Sequence, residues 1–330
     1  MPEVMIVGET IDGKLAGITG ELLGAGRKLA ENLGHKLSAV LIGSGGSNLA
    51  QQAIALGADK VYVVDNPAFK EYQTEPYLTA MQAVCQQAKP DILLLGQTSL
   101  GRDMAPRLAF RLGTGVSLDC INLAIDPQTK LMVQTKPVYG GNALADYVCE
   151  STRPQMATIR PKAMSACEPD TSRKGEVVPV SVQVDPSKIG ARLLDRVKQE
   201  VAGVKLEDAE VVVTGGRGIG GPEGFKELEV LAKLLKGAMG ASRPPCDSGW
   251  VPSTVQIGLT GKIVSPTLYI GIAVSGSSQH LAGCSGSKCI VAINRDPEAN
   301  IFKIARFGVV GDYHQAVPAF IAKCKEILSS

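Results

Sequence analysis

The strongest constraint on the fold lies in the stretch from Leu268 to Asn294, LYIGIAVSGSSQHLAGCSGSKCIVAIN. Two apolar, β-branched-rich runs, Leu268 to Val274 and Cys289 to Ile293, read as buried strands, with a polar turn of small residues and a short helix between them. In an open α/β sheet such turns sit at the carboxyl ends of the strands. Backbone N–H groups at a helix N-terminus face outward there and attract anionic or hydrogen-bond-accepting ligands. Ser275, Gly276, Ser277, Ser278, Gln279 and His280 fall in this turn. A Gly/Ser-rich turn alone would be an ordinary βα loop, but the Gln-His pair uses one of only three histidines in the chain.

The same alternation runs upstream. Val4 to Val7, Lys36 to Ile42, Lys60 to Val64 and Asp91 to Gly96 read as strands. Helical spacing separates them over Ile18 to Leu33, from an N-cap at Thr74 to about Cys85, and from Gly101 onward. Strands and helices in this order indicate βαβ units and a mostly parallel sheet. Asp12-Gly13 marks a turn, and Gly43 to Ser47 lacks the full dinucleotide-loop spacing, so it reads as a structural turn. After Gly113 helical periodicity fades. Val116 to Leu118, Leu131 to Thr135, Ala143 to Val148, Met156 to Arg160 and Val177 to Val184 are expected as strands that extend or cap the sheet.

The charged stretch Ile189 to Val204 reads as linker and solvated face, and a second α/β unit starts at Glu210. At 330 residues the chain exceeds a typical single core of roughly 100–200 residues. The expected fold class is therefore α/β with two domains: 1–190, a linker over 191–207, and a doubly wound, Rossmann-like domain over 208–330. Val211 to Thr214 is its first strand, ending in Gly215-Gly216-Arg217-Gly218-Ile219-Gly220-Gly221, and Pro222 to Met239 is expected as one amphipathic helix. A glycine-rich strand-to-helix turn lets the backbone approach a pyrophosphate, and Arg217 adds charge-assisted donors. With Ser242-Arg243, Gln256 to Thr260, Ser275 to His280 and Asn294 at other strand ends, the pattern supports one extended dinucleotide site.

Composition narrows the function further. A net charge of +2 points to neither nucleic acid nor an anionic membrane. The start MPEVMIVGET does not resemble a signal peptide and no apolar run approaches a membrane span of about 20 residues, so the expectation is a soluble, cytoplasmic protein. Eight cysteines without CxxC or His-paired spacing argue against zinc, iron–sulfur or disulfide chemistry.

Ser-Gly-x-x-Gln-His-x-x-Gly from Ser275, followed by Ala-Ile-Asn-x-Asp-Pro-Glu-Ala over Ala292 to Ala299, resembles the signature of the electron transfer flavoprotein alpha subunit. Gly-Gly-Arg-Gly at Gly215, Gly-Ala-Ser-Arg at Gly240 and Gly-x-Thr-Gly-Lys at Gly258 carry the same resemblance. It implies FAD in the C-terminal domain and an N-terminal domain packed on a beta subunit. Electrons would pass to an acyl-CoA dehydrogenase-type partner. By motif, Arg217 would contact the pyrophosphate, and Ser242 and Arg243 would lie by the flavin. Gln256, Ile257, Gly258, Leu259, Thr260, Ser275, Gly276, Ser277, Ser278, Gln279 and His280 would surround the isoalloxazine and ribityl chain. Asn294, Asp312 and Tyr313 would hold the adenosine half. A cationic or donor His280, with the Arg243 guanidinium, is expected to stabilise the reduced flavin. No catalytic acid, base or nucleophile is needed.

Three departures from the family pattern bear on redox behaviour: Leu259 where glutamine is usual, Ser277-Ser278 for Ala-Ile, and Arg306-Phe307 for Asp-Tyr. Thr74-Glu75-Pro76-Tyr77 and Arg153 to Thr158 resemble versions in electron-bifurcating members, which would add ferredoxin as a partner. A competing reading is an NAD(P)-dependent oxidoreductase using the same glycine-rich site. Against it, no Asp or Glu stands at a second strand end about 20 residues beyond the glycine loop. A third reading, a structural subunit without cofactor, conflicts with the intact Arg217, Arg243, His280 and Asn294 set.

Overall fold

The computed structural model describes residues 2–141, 143–184, 189–191, 194–195 and 204–329. The chain groups into two compact units, Met1–Val138 with Leu144–Val197, and Tyr139–Ala143 with Lys198–Ser330. Most of the expected linker, including Arg192, Arg196, Lys198 and Glu200, lies outside the described residues.

In the first unit β1 (Glu3–Gly8) leads through a small hairpin, β2 (Thr10–Ile11) and β3 (Lys14–Leu15), into α1 (Gly17–Leu33). Next come β4 (Lys36–Gly43), α2 (Ala50–Ala55), β5 (Lys60–Asp65), α3 (Thr74–Ala88), β6 (Ile92–Gly96), α4 (Ser99–Leu112) and β7 (Val116–Cys120). The unit then continues as β8 (Asn122–Ile125), β9 (Met132–Val138), β10 (Ala143–Tyr147), β11 (Gln155–Ile159) and β12 (Glu176–Pro179). Seven of these strands form one parallel sheet, in the order β12-β5-β4-β1-β6-β11-β7.

Successive strand residues face opposite sides, and both sides are covered. Val4 and Ile6 meet Leu22 and Leu23 of α1 and Ile54 of α2. Met5 and Val7 meet Leu78 and Met81 of α3 and Met104 and Leu108 of α4. A strand buried on both faces has no polar side to show, which is why β1, β4 and β6 read as unbroken apolar runs.

Two expectations change here. Thr74 does not cap α3: the N-cap position is Gln73, and Thr74 Oγ1 donates to Asp103 Oδ2 of α4 at 2.6 Å. An ionised carboxylate is a stronger acceptor than any backbone group nearby, so it draws the hydroxyl across to the neighbouring helix. Of the strands after Gly113, β7, β11 and β12 do extend the sheet, but β9 and β10 join the unanticipated β8 in a separate three-stranded sheet. There β8 and β9 run antiparallel.

The second unit runs β13 (Val211–Gly215), α5 (Pro222–Leu234), β14 (Ala238–Ala241), α6 (Arg243–Asp247), β15 (Leu268–Ile272), α7 (Ser278–Cys284), β16 (Cys289–Asn294), β17 (Phe307–Val310) and α8 (Tyr313–Ser329). Its five strands pair in parallel in the order β14-β13-β15-β16-β17. Phe225 and Leu228 of α5 and Val317 of α8 pack on Val213, Ile270 and Ile293. On the opposite face, Cys284 of α7 joins Val212, Ile257 and Tyr269. The helix expected to reach Met239 stops at Leu234. Lys236 takes a positive φ of 54°, the Gly237 amide returns to Ala232 O at 2.8 Å, and Met239 lies within β14.

A charged knot ties α1 to the chain leading into β12. Asp59 Oδ1 receives Arg27 at 2.8 Å and Arg173 at 2.7 Å, while Oδ2 accepts the Leu37 amide at 2.9 Å. Burial alone would raise the Asp59 carboxyl, but the Leu37 amide and the two guanidinium groups outweigh it and hold it below its ordinary value. A depressed carboxyl contributes stability above its unfolded pKa and loses it as pH falls through the folded one. Asp59→Asn should therefore destabilise the apoprotein by roughly 2 kcal/mol at neutral pH. In urea titrations the gap from the parent should close as pH drops below about 4.

Candidate functional site

Strand register fixes where the candidate residues meet. Ala241, Gly215, Ile272, Ile293 and Val309 stand side by side across β14, β13, β15, β16 and β17. Beyond that row the parallel strands release Ser242-Arg243, Arg217, Ser275 to His280, Asn294 and Asp312-Tyr313 at one carboxyl edge. Gln256 to Thr260 is drawn to the same edge, because the Ile257 amide donates to Ala241 O at 2.8 Å. The sheet thus gathers all seventeen candidates, though they span nearly a hundred positions. By contrast, Arg306-Phe307 lies at the amino end of β17, where Phe307 pairs with Val291. Its departure from the family pattern falls at the sheet edge away from the site.

After β13 the chain moves to β14 on one side of the sheet and then crosses to β15 on the other. This reversal opens a crevice between the ends of β13 and β15, the place where open α/β sheets take ligands. The two turns there run back to back. The Gly216 amide donates to Ile272 O at 2.9 Å, and a Cβ at Gly216 would stand 2.0 Å from Ala273 O. Only glycine permits this approach, which leaves the adjoining Arg217 at the rim of the crevice.

The segment from Gln256 lies across the first turn of α7. Buried Gln256 donates through Nε2 to Thr260 Oγ1 at 2.9 Å, and the Leu259 amide donates to Gln279 O at 2.9 Å. Gly258 between them has φ 146°, and a Cβ there would press on Gln279 O at 3.0 Å. The Leu259 side chain is left 55% exposed. Thr260, Ser275, Ser277, Ser278 and Gln279 are also exposed, whereas Gly276 is buried with φ 78°.

His280 differs from its neighbours in being buried, at 4% exposure. Its Nδ1 lies 3.1 Å from Ile257 O and its Nε2 2.7 Å from the Tyr269 hydroxyl. A carbonyl can only accept, so Nδ1 carries the hydrogen and Nε2 accepts from Tyr269. Burial pushes the imidazole pKa down to about 4, against a smaller upward pull from the Ile257 carbonyl. The sequence led to a cationic or donor His280; this environment favours the neutral ring, and its one N–H is engaged by Ile257 O. Tyr269, which the sequence reading passed over, is the missed residue of the site. Its signal was a tyrosine inside a buried strand, since a buried phenol needs a partner.

The charges are placed differently. Arg217 is exposed and makes no ion pair with any described residue, while Arg243 Nε lies 3.1 Å from Asp247 Oδ2 along α6. Ser242 is buried, and its amide donates to Gly215 O at 2.9 Å. Asn294 donates to Val274 O at 2.9 Å and accepts the Asp296 amide at 3.0 Å. Asp312 accepts the His314 amide at 3.0 Å at the start of α8, and buried Tyr313 donates to Ile219 O at 2.8 Å. In this structure Asn294, Asp312 and Tyr313 therefore bind their own chain and shape the edge. Two arginines beside a glycine-lined crevice fit a dinucleotide whose pyrophosphate is anionic.

The first unit has the same kind of edge with its donors already answered. Asp65 accepts the Gly45 amide at 2.8 Å and the Ser47 amide at 3.3 Å, so the Gly43 to Ser47 loop is closed by its own carboxylate. Between β1 and β6, Glu9 Oε1 accepts from Thr98 Oγ1 at 2.7 Å, and burial lifts its pKa to about 7 against that bond. Among the described residues no acid, cysteine and histidine cluster could hold a metal, and no helix is long and apolar enough to cross a membrane.

Comparison with known proteins gives two family matches. Residues 4–185 match the electron transfer flavoprotein domain, and residues 205–285 match the electron transfer flavoprotein FAD-binding domain. The chain is 45% identical over 325 residues to an electron transfer flavoprotein subunit alpha of Thermoanaerobacterium thermosaccharolyticum, covering 98% of each chain. It is 41% identical to the corresponding subunit of Megasphaera elsdenii, over 98% of this chain and 96% of that one. It is also 36% identical to a lactate dehydrogenase (NAD(+),ferredoxin) subunit LctC of Acetobacterium woodii, over 94% of this chain and 74% of that one.

The neutral imidazole has a measurable consequence. Unfolded, a histidine titrates near 6.5, whereas folded His280 titrates near 4, so between these values the unfolded chain binds more protons. Stability from this group is complete above the unfolded pKa. It is lost as pH falls toward about 4, by roughly 3 kcal/mol in full. His280→Asn should flatten that part of the pH profile. Equal urea-midpoint slopes for parent and variant between about pH 7 and about pH 4.5 would show that His280 is charged or exposed.

Proposed function

The chain belongs to the electron transfer flavoprotein alpha-subunit family, and from that premise we propose how its residues divide the work on the flavin. Its second unit is the family's FAD-binding domain, so the chain is an FAD-binding subunit of an electron-transport protein. Bound FAD supplies the one- and two-electron transfer chemistry. In our reading Arg217 holds the pyrophosphate at the β13–β15 crevice. Gln256 to Thr260 and Ser275 to His280 flank the ribityl chain and flavin ring, with Ser242 and Arg243 at the ring's edge. Asn294, Asp312 and Tyr313 form the wall of the adenosine pocket.

The observation that carries this reading is the alignment of five strand ends along one edge, opened by a crevice between β13 and β15 whose rim arginine, Arg217, has no ion-pair partner among the described residues. The alternative nicotinamide site is less well supported. An NAD ribose needs a carboxylate at the end of the second strand, and β14 is followed there by Ser242-Arg243.

We assign residues 1–190 to packing on a beta subunit and 208–330 to FAD, within a cytoplasmic heterodimer. Its electron acceptor or donor is an acyl-CoA dehydrogenase-type flavoprotein. Thr74 to Tyr77 and Arg153 to Thr158, with the ferredoxin-linked name of one relative, favour the bifurcating type. The test is to purify the heterodimer, count flavins, and ask whether, with the acyl-CoA dehydrogenase-type partner added, NADH reduces ferredoxin only when a 2-enoyl-CoA is present as electron acceptor. Reduction without the acceptor, or none with it, would exclude bifurcation.

Two substitutions probe the flavin site itself. Arg217→Ala should weaken FAD binding by roughly tenfold, as loss of one charge-assisted contact implies, with unchanged folding by circular dichroism. Arg243→Ala should leave FAD occupancy intact and lower the flavin potential by up to roughly 59 mV, one tenfold step in a one-electron equilibrium. Spectroelectrochemistry of the loaded heterodimer reads the second effect, and an unshifted potential would reduce Arg243 to a structural role.

A further inference from the structure

Behind the exposed turn lies a polar group that no proposed flavin contact uses. Tyr269, the second residue of β15, is 0% exposed, and its hydroxyl faces α7. His280 and Cys284 stand one helical turn apart on that face. His280 Nε2 is 2.7 Å away. Because His280 Nδ1–H donates to Ile257 O, Nε2 must accept, and the Tyr269 O–H donates to it. A directed chain results, from Tyr269 through His280 to the Ile257 carbonyl.

The far end of that chain matters. Ile257 immediately precedes Gly258-Leu259, and its own amide bonds Ala241 at the end of β14, next to Ser242-Arg243. One imidazole therefore links three segments of the carboxyl edge: 241–243, 256–260 and 275–280. Packing alone does not require the hydroxyl, since phenylalanine would fill the same volume. A buried hydroxyl is unfavourable unless it is bonded.

We propose that Tyr269 is a positioning residue of the FAD site: its O–H holds the His280 ring through Nε2, so that the ring's Nδ1–H pins the 256–260 segment against the first turn of α7. The inference rests on the reading that these two segments flank the flavin. Removing the hydroxyl leaves Nε2 buried without a donor. A change of tautomer would set an N–H where no acceptor remains and a lone pair against Ile257 O, so the ring can recover a partner only by turning, which releases Ile257 O.

The experiment uses the full chain co-expressed with its beta subunit, with histidines labelled in the imidazole nitrogens. In the FAD-free parent, the His280 nitrogen shifts should report the Nδ1–H tautomer with a hydrogen-bonded Nε2, and Tyr269→Phe should move the Nε2 shift to that of an unbonded nitrogen. FAD affinity, followed by flavin fluorescence, should fall roughly tenfold in Tyr269→Phe. In a His280→Ala background the same Tyr269→Phe change should have almost no further effect, since the two residues act through one bond. Additive losses, or a Tyr269→Phe variant that loses the Nε2 bond yet binds FAD as the parent does, would overturn the proposal. An Nε2–H tautomer in the parent would overturn it even if Tyr269→Phe did not fold. The flavin-site reading stands or falls separately, on the affinity of Arg217→Ala.

Discussion

Parallel strands can be joined only by a chain that returns along a face of the sheet, and this constraint governs the second unit. Each strand must leave the sheet at the same edge, so residues distant in sequence are delivered to one line without any contact selecting them individually. The row Ala241, Gly215, Ile272, Ile293 and Val309 is that line. The crevice at β13 and β15 follows from the order of the strands, and Gly216 lets the two flanking turns close on each other there. Once the register is set, the chemistry of the edge depends on which side chains follow each strand.

The two units show how much that last step decides. Both present carboxyl edges of parallel sheets with a reversal of strand order, β1 against β6 in one and β13 against β15 in the other. In the first unit Glu9 and Asp65 take up the donors at the edge, doing within the chain what a ligand phosphate would do from outside. In the second, Arg217 and Arg243 stand there. A fold of this kind is only a frame for a site, and the sign of a few side chains separates a closed edge from one that receives an anion.

The buried frame was legible because strands covered on both faces must be apolar throughout, as in β1, β4, β6 and β15. What stayed hidden lacked that signature. Strand β14 consists of Ala, Met, Gly and Ala, small residues that continue the helical period of α5, and only the backbone turn at Lys236 separates them. Strand β17 is exposed along its length and carries no burial pattern. Site membership could be read from glycine and polar clusters at strand ends, but the partner of each polar atom could not. Asn294, Tyr313 and Thr74 have side chains that suit a ligand or a helix cap equally well, and tertiary neighbours claim all three.

His280 is the clearest case of this kind, and its burial changes how the site can act on a flavin. A neutral ring with both nitrogens engaged adds no charge to the edge, so the fixed positive charge there comes from Arg217 and Arg243. Arg243 is exposed and shares its charge with Asp247, and an exposed pair in water projects only a weak field. For His280 to turn toward a ligand it would have to give up Tyr269 or Ile257. The new contact would then have to offset a buried hydrogen bond of roughly 1–3 kcal/mol. The arrangement therefore favours an imidazole that fixes the shape of the pocket over one that charges it, with Arg217 supplying the attraction at the crevice.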